Sequence, residues 1–122
     1  MKVPQIYADE QGESHFGVYE TPDRDLAMGP PPNPVGKLSD FGAVSTMSIF
    51  FAPAGTEAPP HNAPQPYIAV VLSGDGEIQT SDGESRSFQS GAVIVCNDLI
   101  GKGHITRAVT DLKLAFINRA QP

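Results

Sequence analysis

The run Asp98-Leu99-Ile100-Gly101-Lys102-Gly103-His104 places a carboxylate, an amine and an imidazole within seven positions, the chemically richest stretch of the sequence. Imidazole titrates near neutral pH, so His104 is a candidate for proton transfer, as is His61 in Pro59-Pro60-His61-Asn62. Lys102 stands between two glycines, whose backbone freedom can carry its amine over a cavity mouth. The stretch is not a phosphate loop. That motif needs four residues between its first glycine and the Gly-Lys pair and then Ser or Thr, whereas Gly103 follows Lys102 here. Cys96 ends the apolar run Ala92-Val93-Ile94-Val95-Cys96 with no neighbouring base or cation, and reads as a buried inert thiol. No serine lies in a Gly-x-Ser-x-Gly turn, so a hydrolase triad has no support.

The elements that must position these groups are short strands. From Val44 onward, β-branched and aromatic segments recur at roughly 44–52, 67–72, 76–81, 85–88, 92–96 and 104–117, the last broken near Thr110-Asp111. Two Asp-Gly pairs, Asp75-Gly76 and Asp82-Gly83, sit between strands and predict tight hairpins. No segment sustains helical periodicity, and twelve prolines in 122 residues, about twice the usual ~5% share, disfavour long helices. The expectation is a single all-β domain, with the core over 38–122.

Residues 1–37 differ in character. They are acidic and end in Gly29-Pro30-Pro31-Pro32-Asn33-Pro34, and they read as an N-terminal proline-rich arm packing on the barrel or on a partner. Within it Ile6, Tyr7, Phe16, Val18 and Tyr19 can form edge strands, and Thr21-Pro22-Asp23 has the form of a helix start.

Composition narrows the partners. Eight Lys and Arg against fourteen Asp and Glu give a net charge of -6 with no basic patch, which argues against nucleic acid. No run approaches the ~20 apolar residues of a membrane helix, and the first residues, MKVPQIYADE, lack the apolar core of a signal peptide. One cysteine cannot form an internal disulfide. These features predict a soluble cytoplasmic protein.

The stretch GTEAPPHNAPQPYIAVVLSG from Gly55 to Gly74, followed by GAVIVCNDLIGKGH from Gly91 to His104, resembles the two-motif signature of the cupin superfamily. Gly55, His61 and Gly74 match the first motif, and Gly91 and His104 match the second. The pattern Ser81-Asp82-Gly83-Glu84, Arg86, Phe88, Asn97-Asp98 and Thr106-Arg107 is similar to that of small single-domain cupins. The resemblance implies a cupin-type β-barrel, or jelly roll, over residues 44–117, with His61 and His104 turned into one cavity and Tyr67, Ala69 and Val71 on the inward face. It also implies a degenerate metal site. Ala63 stands where the family has a second histidine and Tyr67 where it has a carboxylate, so His61 and His104 remain as metal ligands and either no cofactor or a weakly bound divalent metal is expected. Gln65, Asp98 or Glu57 can add an oxygen.

Three functional readings follow. The first is metal-independent acid–base chemistry, of isomerase, cyclase or lyase type, on a small metabolite. In it His61 and His104 transfer protons, Tyr67 and Lys102 orient or polarise a carbonyl, and Gln65, Asn62 and Asp98 bind substrate, with Asp98 and Lys102 at the rim. The others are a non-catalytic ligand-binding or sensing module and a metal-dependent oxygenase or isomerase. A homodimer using the arm is expected.

Overall fold

The computed structural model describes residues 1–32 and 34–120, and among these every regular element is a strand. Six strands form one sheet in the order β2 (Ser14–Glu20), β1 (Lys2–Ala8), β10 (Val93–Cys96), β7 (Tyr67–Ser73), β12 (Leu112–Arg119) and β5 (Val44–Ala52). Four form a second in the order β6 (Glu57–His61), β11 (His104–Ala108), β8 (Gly76–Thr80) and β9 (Ser85–Phe88). A separate hairpin joins β3 (Asp23–Ala27) to β4 (Val35–Ser39).

Side-chain alternation builds the space between the two large sheets. In Gly76-Glu77-Ile78-Gln79-Thr80 alternate residues are buried, so Ile78 points inward while Glu77 and Gln79 lie on the other face. In Tyr67–Ser73 the odd members Tyr67, Ala69 and Val71 join the core with Ile78, Phe88, Ile94, Leu112 and Leu114. Ile68, on the opposite face, packs with Val3 and Val95 in a second cluster outside the sheet. Burial on both faces explains why β7 reads as a continuous apolar run.

Several sequence expectations change. The segment read as an arm packs on the barrel of its own chain: β1 lies parallel to β10, pairing Gln5 with Val95 and Ile6 with Cys96, and β2 returns antiparallel beside it at the sheet edge. Ile6 is fully buried within its own chain. The helix start at Thr21-Pro22-Asp23 is instead the approach to β3: Thr21 is buried, and its hydroxyl donates to the Asp40 carbonyl rather than capping a helix. Of the proline run, Asn33 lies outside the described residues.

Only one Asp-Gly pair makes a hairpin. Gly83 (φ 95°) turns β8 into β9, which pair from Gly76–Phe88 to Gln79–Ser85. At Asp75-Gly76 the chain crosses from one sheet to the other, and the left-handed residue is Gly74 (φ 90°). The strand β6 escaped the sequence reading because its Glu-Ala-Pro-Pro-His composition lacks strand formers; it lies at the edge of its sheet, where proline's missing donor costs no ladder bond.

Candidate functional site

Strand β11 brings the two histidines together. In the antiparallel pairing with β6, His104 is opposite His61, and their rings stand 4.5 Å apart between centroids with a 55° tilt. Gly103 makes this approach possible. Its φ is 72°, and a Cβ placed there would lie 2.2 Å from the His61 carbonyl oxygen, so a larger residue would push the two strands apart.

Each imidazole is oriented by a partner at Nδ1. His61 donates from Nδ1 to the Pro59 carbonyl at 2.8 Å, because a carbonyl can only accept. His104 Nδ1 lies 2.6 Å from Asp98 Oδ2, and both side chains are buried. A carboxylate so placed fixes the proton on Nδ1 and steadies the positive charge that arises when Nε2 takes another. Among the described residues neither Nε2 has a hydrogen-bond partner, which leaves both able to exchange a proton with a third group. The other carboxylate oxygen, Asp98 Oδ1, is buried and has no hydrogen-bond partner among the described residues.

The histidines line one end of a cavity of about 240 Å³ walled by Tyr67, Val71, Ile78, Phe88, Leu114 and Phe116, among others. Tyr67 is buried with its ring edge-on to Phe116 at 5.4 Å. Burial, reinforced by Cys96 and Asp98 nearby, raises its phenol above the ordinary value of about ten, so it remains a hydrogen-bond donor at any working pH. Cys96 also lines the cavity, and burial pushes its thiol up to about 12, which keeps it protonated.

The remaining sequence candidates stand elsewhere. Asp98 is not at the rim but buried behind His104, so it positions that ring and does not meet a ligand. Lys102 does not reach the cavity; its Nζ donates to Glu13 Oε2 at 2.5 Å, an ion pair that raises the amine's pKa and ties it to the arm. Asn62 donates to the Gly101 carbonyl at 3.0 Å, and neither it nor Gln65 lines the cavity. Glycine-flanked lysines and loop amides read as reachable groups in a sequence, but here Lys102 is spent on Glu13 and Asn62 on the Gly101 carbonyl.

The arm contributes what the sequence reading missed. Ser14 Oγ donates to the Gly103 carbonyl at 2.7 Å, and the Lys102 amide donates to the Gly12 carbonyl at 2.8 Å. The turn between β1 and β2 thus buttresses the segment that carries Asp98 and His104. No local signal in Gly12-Glu13-Ser14 announces this, because the partners lie about 90 residues away.

The donor set does not match a metal centre. Two imidazoles face each other, but Ala63 and Tyr67 offer no third or fourth ligand of the expected kind, and Asp98 is engaged at Nδ1 of His104. Among the described residues no group of three or more His, Cys, Asp or Glu side chains is placed to hold an ion.

No protein-family model matches the sequence, and no curated protein matches it. Solved structures do. A cupin superfamily protein from Desulfitobacterium hafniense superposes with a TM-score of 0.54 at 16% identity, covering 84% of this chain and 82% of that one. A cupin-2 domain containing protein from Shewanella frigidimarina gives a TM-score of 0.50 at 20% identity, covering 61% and 69%. An RmlC-like cupin protein from Desulfovibrio desulfuricans is 35% identical, with a TM-score of 0.47 over 59% of this chain and 69% of its own. The two facing sheets, the glycine-punctuated strands and the likenesses to the Desulfitobacterium and Shewanella proteins agree: the chain has the cupin fold.

Proposed function

We propose that the protein binds a small molecule in the barrel cavity and transforms it by metal-independent acid–base chemistry of the isomerase, cyclase or lyase type. The observation that carries this reading is the His61–His104 pair, 4.5 Å apart at the cavity end, with both Nδ1 atoms engaged and both Nε2 atoms free. The two rings differ in access. His61 is exposed and can trade its proton with water, whereas His104 is buried and backed by a carboxylate. In the proposed step His61 Nε2 removes a proton from carbon beside a substrate carbonyl, while protonated His104 donates from Nε2 to the carbonyl oxygen, forming the enol. Return of a proton to a different carbon, with His104 recovering its own from the enol oxygen, isomerises the substrate. Tyr67 contributes a hydroxyl that keeps its proton and can donate it in a hydrogen bond.

The test is hydrogen–deuterium exchange in D₂O on a panel of enolisable cyclic ketones, followed by NMR. The wild type should accelerate exchange at the carbon beside the carbonyl, and His61→Gln and His104→Gln should each abolish the acceleration. Equal exchange in wild type and variants overturns the reading; binding without exchange identifies a ligand-binding module instead.

We further propose a cytoplasmic homodimer that binds neither nucleic acid nor membrane. The net charge of -6 and the single free cysteine, Cys96, support the surroundings. The dimer is supported by β5, an edge strand that exposes Met47, Ile49 and Phe51, and by the β3–β4 hairpin, which exposes Leu26, Met28 and Val35.

A further inference from the structure

We infer that the molecule this cavity accepts is uncharged and largely apolar, one or two rings in size, with its hydrogen-bonding group at a single end. The inference rests on the cavity being the reaction site and adds the class of its substrate.

Charge decides first. No Lys or Arg is among the residues that line the cavity. Glu77 reaches the lining, but its carboxylate accepts from Arg107 Nη1 at 2.9 Å, on the far face of β8 and β11. A phosphate or carboxylate entering here would lose its water and meet no Lys or Arg, and the charge His104 carries in the proposed step is already countered by Asp98; an amine would meet no free carboxylate, because Asp98 lies behind His104 and does not line the cavity.

The distribution of polar groups decides next. His61, His104 and Tyr67 cluster at one end, and Thr106 is one strand step further in. Beyond it the register leads to Ala108 and Gly76 and then to Phe88, with Leu112 and Val71 opposite, and offers no polar side chain. A sugar carries hydroxyls on every side and would bury most of them against hydrocarbon. A ring system with one hydroxyl or carbonyl puts its polar atom at the histidines and its body against Val71, Ile78 and Phe88.

Size follows from the same geometry. At about 3.3 Å per residue, His104 to Ala108 spans about 13 Å, and the volume of about 240 Å³ lies just below the usual range for drug-sized ligands. Two fused rings fit that length.

The probes are 2-naphthol, 2-naphthoate and methyl α-D-glucopyranoside, titrated into the full-length protein and followed by ¹H–¹³C methyl NMR. The naphthol should shift the methyl signals of Val71, Ile78 and Leu114 and bind at least tenfold more tightly than the naphthoate, and the glucoside should leave them unmoved. Ala58→Phe, which fills the cavity from β6, should abolish naphthol binding; the wild-type shifts locate the site independently should that variant not fold. Naphthoate or glucoside binding as tight as the naphthol, naphthol shifts outside the cavity, or no naphthol binding at millimolar concentration would each overturn the inference. Failure here together with histidine-dependent exchange on polar ketones refutes the substrate class alone, whereas naphthol binding with histidine-independent exchange refutes the acid–base reading alone.

Discussion

Replacing Gly103 by alanine should cost far more than an exposed glycine substitution, because two separate penalties meet there. The first is conformational. At φ 72° an L-residue sits in the left-handed region, at roughly 1–2 kcal/mol. The second is collision: the new Cβ would lie 2.2 Å from the His61 carbonyl oxygen, 2.4 Å from its carbon and 2.9 Å from the Asn62 nitrogen. These are backbone atoms and cannot swing aside, so β6 and β11 must separate and loosen one or two hydrogen bonds at about 1 kcal/mol each. The total is about 3 kcal/mol, a large share of the roughly 5–15 kcal/mol that stabilises a domain, and it lowers the melting temperature by about 10 °C. Gly83 supplies the control. Its φ is 95°, yet a Cβ there meets nothing within 4 Å, so Gly83→Ala should cost only the first penalty. Equilibrium urea unfolding of the three proteins measures both, and histidine-ring NMR should report His61 and His104 moving apart in Gly103→Ala alone. Equal destabilisation by the two substitutions, with the histidine signals unmoved, would refute the claim that a close backbone approach holds the site together.

Other outcomes are expected. His15 lies between Asp9 and Asp82, at 2.7 and 2.8 Å, and its hydrogen bonds to Asp9 first and Asp82 second raise its pKa above the ordinary 6.5. The stability it contributes is therefore fully present below about 6.5 and lost as pH rises through the raised folded value, so the cost of His15→Ala, read by urea unfolding, should be larger at pH 6 than at pH 9. Cys96 should resist a disulfide reagent such as DTNB at pH 8 in the native protein and react promptly in urea; rapid native labelling would contradict its burial. After dialysis against a chelator, elemental analysis should find less than one equivalent of Fe, Mn, Ni or Zn, and a full equivalent would restore a metal-dependent reading. Sedimentation should show a dimer that Ile49→Lys with Phe51→Lys converts to monomer; a dimer that survives both charges must use another surface.

Local signals in the sequence reach as far as local causes do. The β-branched and aromatic segments and their bounding turns gave β5, β7, β9 and β10 nearly to the residue, because strand preference and turn chemistry are carried by the segment itself. The strand β6 was hidden by Pro59 and Pro60, whose edge position only the assembled sheet makes tolerable. The turn at Asp75-Gly76 misled because a tight turn and a crossing between sheets ask for the same residues, and only the pairing of β8 with β11 rather than β7 separates them. At the candidate site, family spacing named His61 and His104, which stand side by side. Asp98 was assigned to the rim because a carboxylate between Asn97 and Leu99 looks solvated until its imidazole partner is in view. Lys102 was assigned to chemistry because its partner, Glu13, belongs to a segment read as an arm.

The parallel pairing of β1 with β10 also sets an order of events during synthesis. Ile6 leaves the ribosome well before Cys96, its partner across the ladder, which follows 90 positions later. Until then β1 and β2 have at most their own hairpin, and a two-stranded hairpin is marginal in water. Closing so long a loop makes this docking slow compared with the local turn at Gly83. The chain thus makes its N-terminal strands early and secures them late, and the turn between β1 and β2 can brace the His104 segment only after Gly103 has followed. A nascent chain stalled before residue 93 would hold Ile6 exposed to any chaperone or protease within reach.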